Sequence, residues 1–193
     1  MLSHLEKYDI LLASNSPRRR ELLSGLGINY RVTSLPDVDE SYPNTLQGEN
    51  IPLFISKLKS KAYRFKMKKN TLLITADTIV WLDGKVYGKP SDEFDAKRML
   101  KNLSGKTHQV ITGVTICTQE KEVSFAVTSD VSFSELSDEE IEYYVNHYHP
   151  LDKAGAYGIQ EWIGYIGVCK LQGSYFNVMG LPVQRLYQEL KQF

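Results

Sequence analysis

Cysteine is scarce in this chain of 193 residues: Cys117 and Cys169 are the only two, too few for a disulfide framework or a Cys-based zinc site. Both lie in apolar stretches and read as buried, reduced thiols. An excess of charge of one sign is also missing, with 23 Lys+Arg against 23 Asp+Glu. No long-range field therefore draws the chain onto nucleic acid or an anionic membrane. No apolar run approaches the roughly 20 residues of a membrane helix, and residues 1–9 hold no apolar signal-peptide stretch. A soluble cytoplasmic protein, with neither nucleic acid nor membrane as partner, is the expectation. The P-loop, the G-x-G-x-x-G turn, the G-x-S-x-G elbow and His/Cys metal spacing are all absent. What remains is ordinary globular composition, 42% hydrophobic and 24% charged, at a length suited to one domain over residues 1–193.

Along the chain, residues 8–13 form a short apolar run that predicts a buried strand. Ser16 is then a good N-cap and Pro17 a good first residue for a helix with Gly25 or Gly27 as its stop. A second strand is expected over 28–34, a long polar loop over 36–50 that orders around a ligand, and helical character over 51–69. Residues 71–76 are the most strand-like run, and Asp83-Gly84 is the dipeptide of a tight hairpin turn. A helix from Ser91 to about Asn102 and strands over 107–118 and 123–133 follow. Ser137 to Glu140 has the capping-box pattern, opening a helix to about His147. A Gly-rich stretch over 155–180 precedes a last helix at Leu181-Pro182. The mixture is α/β or α+β, drawn as a curved central sheet flanked by helices.

Four places carry possible chemistry. After the first strand comes Ser14-Asn15-Ser16-Pro17-Arg18-Arg19-Arg20. A helix amino end favours Asp or Glu, so three arginines there break a local rule, as functional sites do. Free N–H groups and arginines at such a turn suit a phosphate; three solvated arginines are the alternative. Asp77, at or near the end of the strongest strand, would hold Mg²⁺ or orient a water, or simply mark a turn. Lys89, held between Gly88 and Pro90, would suit a phosphate oxygen. Lys57, Lys59 and Lys61 follow the long loop; Lys57 and Lys61 share a helix face, where a bound polyanion would relieve their repulsion and plain solvation is the alternative. The acidic run Asp37-Val38-Asp39-Glu40 would coordinate a divalent cation or merely keep the loop soluble. In Asp152 to Gln160, Gly155 and Gly158 permit close backbone approach, and Gln160 offers the donor and acceptor that base recognition needs. A Gly-rich turn is the plain alternative there. His108 reads as a structural histidine, His147 and His149 as capping or surface groups.

Taken together, these segments resemble the Maf family: Leu12 to Leu23, Asp39-Glu40, Lys61-Ala62, Ala76 to Val80, Lys89-Pro90, Leu103 to Val114, Asp152 to Gln160, Gly173-Ser174-Tyr175 and Gly180-Leu181-Pro182. They fall in order over nearly the whole chain. The resemblance implies a cytoplasmic, homodimeric nucleoside triphosphate pyrophosphatase that needs Mg²⁺ or Mn²⁺. It also implies an α/β fold, a single elongated mixed sheet flanked by helices with two lobes around a cleft, similar to the inosine triphosphate pyrophosphatases. Asp77 takes the place of the family's proton acceptor, and Arg18, Thr78 and Gln160 fall on positions that set substrate choice in the dTTP/UTP branch. Lys61 is aligned with the family's Lys-Ala pair, whereas Lys57 and Lys59 carry no family warrant. On this reading Ser14, Ser16, Arg18 and Arg19 receive the triphosphate, Lys61 and Lys89 close around it, and Glu40 with Asp77 holds the metal. A pyrophosphatase for modified purine nucleotides such as 7-methyl-GTP, and a non-catalytic nucleotide-binding regulator of cell division, are the other two readings.

Overall fold

The computed structural model describes residues 2–34 and 38–193; Pro36 and Asp37, at the head of the expected acidic loop, lie outside the described residues. The element order is β1 (Asp9–Ala13), α1 (Pro17–Ser24), β2 (Arg31–Thr33), α2 (Asn50–Tyr63), β3 (Thr71–Leu82), β4 (Lys85–Tyr87), α3 (Glu93–Leu103), β5 (Thr107–Cys117), β6 (Glu122–Phe133), α4 (Asp138–Tyr148), α5 (Trp162–Gly167), β7 (Val168–Gln172), α6 (Tyr175–Val178) and α7 (Val183–Leu190). Among the described residues these strands make one seven-stranded sheet in the order β2-β1-β3-β5-β6-β7, with β4 paired to β3. The fold is mixed α/β. Two compact units divide it, the first comprising Met1–Asp77, Thr112–Val127 and Gly180–Phe193, the second Thr78–Ile111 and Thr128–Met179.

In the first unit, β1 runs parallel to both β2 and β3, with Leu11 opposite Arg31 on one side and Leu73 on the other. Leu11, Ala13, Tyr63, Met67, Leu73 and Cys117 form a core here. α1 starts as its residues dictate: Ser16 is the N-cap, its Oγ accepting from the Arg19 N–H at 3.4 Å, and Pro17 is the first helical residue. α2 buries Ile51, Ile55, Lys59 and Tyr63, a four-residue stripe along one helical face. Its amino end packs directly on β5, where a Cβ at Gly113 would collide with the backbone of Pro52 and Leu53. Polar contacts seat the same face: Thr75 Oγ1 donates to the Ser56 carbonyl at 2.7 Å, and Ser56 and Thr115 share a 3.0 Å hydroxyl bond.

In the second unit, β3 and β4 form the expected hairpin, with Val80 opposite Tyr87. Asp83 and Gly84 both take positive φ, 51° and 77°, the geometry that a tight primed turn demands. β6 and β7 are antiparallel, with an irregularity at Ser132/Phe133. Val80, Leu100, Leu103, Val131, Phe133, Tyr144, Val145 and Ile163 belong to one core in this unit. α4 opens with the capping box at Ser137 and Glu140 and closes at His149 in the left-handed conformation.

Three expectations need correction. β3 does not stop near Asp77; the β-branched and aromatic run Thr78-Ile79-Val80-Trp81-Leu82 carries it on to Leu82. The Gly-rich stretch hides α5 and the edge strand β7. Cys169, on β7, is exposed, and only Cys117 is a buried thiol.

Candidate active site

Asp77 sits in the middle of β3 and is only 9% exposed. Strand alternation puts it on the same face as Thr75, the residue whose hydroxyl already reaches α2. Lys59 meets it there: its Nζ donates to Asp77 Oδ1 at 2.8 Å and lies 3.0 Å from Glu40 Oε1. Lys59 is 5% exposed, and a cation so buried is tolerated only when paired. The lysine at this carboxylate is thus Lys59; Lys61, expected to close around the triphosphate, is exposed on α2. Its signal was in the sequence. Ile51, Ile55 and Tyr63 mark an apolar stripe at four-residue spacing, and Lys59 completes it while Lys57 and Lys61 fall to either side.

The arginine turn is folded more tightly than a bare phosphate cradle. Arg19 Nε donates to the Gly180 carbonyl and Nη1 to the Ala76 carbonyl, each at 2.8 Å. Burial draws the Arg19 pKa down, and Asp77 opposes that shift; a guanidinium stays charged regardless. Arg19 therefore ties α1 to the backbone immediately before Asp77. Ser14 is buried, and its Oγ accepts from the Ser16 N–H at 3.2 Å, while Arg20 reaches the Ser14 carbonyl at 3.5 Å. Arg18 is half-buried on the first turn of α1. Asp39 caps its own loop, accepting from the Ser41 N–H at 2.9 Å, a bond that holds its carboxyl below the usual range.

Of the remaining expected residues, Thr78, Lys89 and Gln160 belong to the second unit. Thr78 is half-buried and Lys89 exposed. The Gly88 carbonyl, just before Lys89, accepts from the Gly155 N–H at 3.0 Å, which joins the Lys89 segment to the loop that ends at Gln160. Oε1 of Gln160 is buried without a hydrogen-bond partner. His108 shares a 2.7 Å bond with the Tyr157 hydroxyl and packs edge-on against Phe133 and Tyr157. Burial lowers its pKa to about 4, so the ring is neutral, as a structural histidine should be.

The acidic residues suit a hard divalent cation. Glu40 and Asp77 bring two carboxylates within hydrogen-bonding distance of one ammonium, so both already serve a single positive charge. No cluster of three or more His, Cys, Asp or Glu exists among the described residues. Carboxylate oxygens are the hard donors that Mg²⁺ takes, so Glu40 and Asp77 would be the residues to hold it.

Residues 9–193 match the family model described as Maf-like protein. The chain belongs to the Maf family. A Maf relative from Phocaeicola vulgatus, named dTTP/UTP pyrophosphatase, is 65% identical over 191 residues, covering 99% of both chains. One of the same name from Bacteroides fragilis is 62% identical over 192 residues, covering 100% of both. Among solved structures, the Ham1 protein of Staphylococcus aureus aligns with 95% of this chain and 98% of its own at a TM-score of 0.57 and 19% identity. That likeness shows the fold, and it is the one the Maf resemblance implies. No helix among the described residues is long and apolar enough to cross a membrane.

Proposed function

We propose that this protein hydrolyses dTTP and UTP to the monophosphate and pyrophosphate. The observation that carries the reading is the Asp77 carboxylate, buried in mid-strand and held by Lys59 beside Glu40. Relatives that match it end to end and are named dTTP/UTP pyrophosphatase support the same substrate pair.

Phosphoanhydride hydrolysis asks a protein mainly for positioning and for charges placed where charge develops. Asp77 Oδ accepts the proton of the water that attacks the α-phosphorus, which makes pyrophosphate the leaving group. Lys59 orients that carboxylate and supplies positive charge next to the reacting phosphate. The Ser14–Arg18 turn receives phosphate oxygens, Arg19 keeps the turn attached to β3, and Lys89 adds a second cation. Glu40 and Asp77 would hold a divalent cation, which neutralises phosphate oxygens and polarises the phosphorus when bound. Gln160, with Thr78, selects the pyrimidine. Homodimerisation and a cytoplasmic location belong to this reading as well, the former checked by sedimentation.

Turnover across canonical and modified nucleoside triphosphates, with Mg²⁺ and with Mn²⁺, tests the proposal when pyrophosphate and phosphate are measured separately. Pyrophosphate from dTTP and UTP is the expected product. Release of orthophosphate, or preference for a purine such as 7-methyl-GTP, overturns it.

A further inference from the structure

The loop that delivers Gln160 is held in a conformation it would not take alone. Gly155 and Ala156 follow each other with φ of 70° and 59°. An alanine in the left-handed region persists only where its surroundings over-determine it. On one side, the Gly155 N–H donates to the Gly88 carbonyl and the Ala156 N–H to that of Lys153, at 3.0 and 3.1 Å. On the other side stands a polar chain anchored on the buried Tyr144 and Lys153. The Gly158 N–H donates to the Tyr144 hydroxyl at 3.1 Å, and that hydroxyl donates in turn to Glu161 Oε2. Glu161 Oε1 lies 3.2 Å from Nζ of Lys153, which also donates to Asp152 at 2.8 Å.

Each member of this chain is costly by itself. Lys153 is buried, and Tyr144 is among the most buried side chains of the protein. Burial and the Glu161 carboxylate push the Tyr144 phenol well above its ordinary pKa, so it keeps the one proton it donates. Gly158 leaves room for the network, since a Cβ there would stand 2.9 Å from the Glu161 carboxylate. Fully satisfied buried networks of this kind fix a single geometry. Here the geometry fixed is that of residues 158–161, and Gln160 lies within it with one buried amide oxygen unpartnered.

We infer that Tyr144, Glu161 and Lys153 are positioning residues that pre-set the Gln160 amide for a pyrimidine carrying an N3–H donor. The inference rests on the dTTP/UTP reading and deepens it. Uracil and thymine present N3–H, whereas cytosine presents an acceptor at N3, so a fixed Gln160 acceptor distinguishes them.

Tyr144→Phe keeps the ring and removes only the hydroxyl. Hydrogen exchange at amides 158–160 is expected to quicken about tenfold, with β5 and β6 unchanged. The KM for UTP is expected to rise about tenfold with kcat within about twofold, and the preference for UTP over CTP to fall in step. Lys153→Met behaves alike, Lys153→Arg restores the wild-type values, and neither effect adds to that of Gln160→Ala. Unchanged exchange in the loop overturns the inference, as does a loosened loop with wild-type KM and preference, or full additivity with Gln160→Ala. A wild-type protein that hydrolyses neither UTP nor dTTP overturns the functional reading instead, separately from the exchange result.

Discussion

Around Asp77 the counter-charges are internal. Lys59 stands between Asp77 and Glu40, and Arg19 gives two of its donors to backbone carbonyls. On the 155–160 loop the situation is reversed: Tyr144, Glu161 and Lys153 beneath it are bonded to one another, while the Gln160 oxygen is left without a partner. On the proposed function, the difference separates two tasks. A group that must act on every substrate is oriented by the protein itself, before anything binds. A group that must choose between substrates keeps an unfilled hydrogen bond, so that the right ligand completes it and the wrong one leaves it empty.

Removing the acting group should do most damage. Asp77→Asn keeps the shape of the side chain, and turnover should fall by about 10²–10⁴-fold with an unchanged circular dichroism spectrum. Near-wild-type turnover in a folded variant would remove the proton-accepting role. Next comes the internal counter-charge. Lys59→Met leaves Asp77 buried without its partner and should cost about 3–5 kcal/mol in denaturant unfolding, whereas Lys61→Met should stay within about 0.5 kcal/mol. If the two lysines exchanged their effects, the assignment to Lys59 would fail.

A slightly smaller effect belongs to the scaffold of the choosing region, where His108 bonds Tyr157. Its folded pKa, about 4, lies below the ordinary 6.5, so the unfolded chain takes up the proton first as pH falls. Stability should therefore be level above pH 6.5 and decline between about pH 6.5 and 4, by up to about 3 kcal/mol. Urea midpoints at pH 7.5 and 4.5 measure it, and His108→Gln should flatten the decline. The smallest effect is expected at the choosing group itself. Gln160→Ala should change the UTP-to-CTP preference by about tenfold at most, with little change in kcat.

How legible this was in the sequence differs with the range of the interaction. Local signals are legible: Ser16-Pro17 starts α1, Asp83-Gly84 turns the hairpin, and Ser137 with Glu140 caps α4. Each acts over a few residues and needs no tertiary partner. Asp77 was visible as a carboxylate in an apolar run, but not its mid-strand place, because the β-formers after it continue the strand. The pairing of Lys59 with Asp77 is hard to see because a run of alternating lysines hides the four-residue stripe that buries only one of them. The Arg19 contacts to Ala76 and Gly180 join residues 57 and 161 positions apart, and nothing local announces them. Likewise Tyr144 and Lys153 are ordinary residues in sequence; only the fold brings them to Glu161.

In the proposed reaction water, with its proton accepted by Asp77, attacks the α-phosphorus. Hydrolysis of UTP in ¹⁸O-labelled water, with the products resolved by mass spectrometry, tests it directly. One labelled oxygen in UMP and none in pyrophosphate is the expected result, with the labelled product lost in Asp77→Asn. Label in pyrophosphate, or in released orthophosphate, would contradict it.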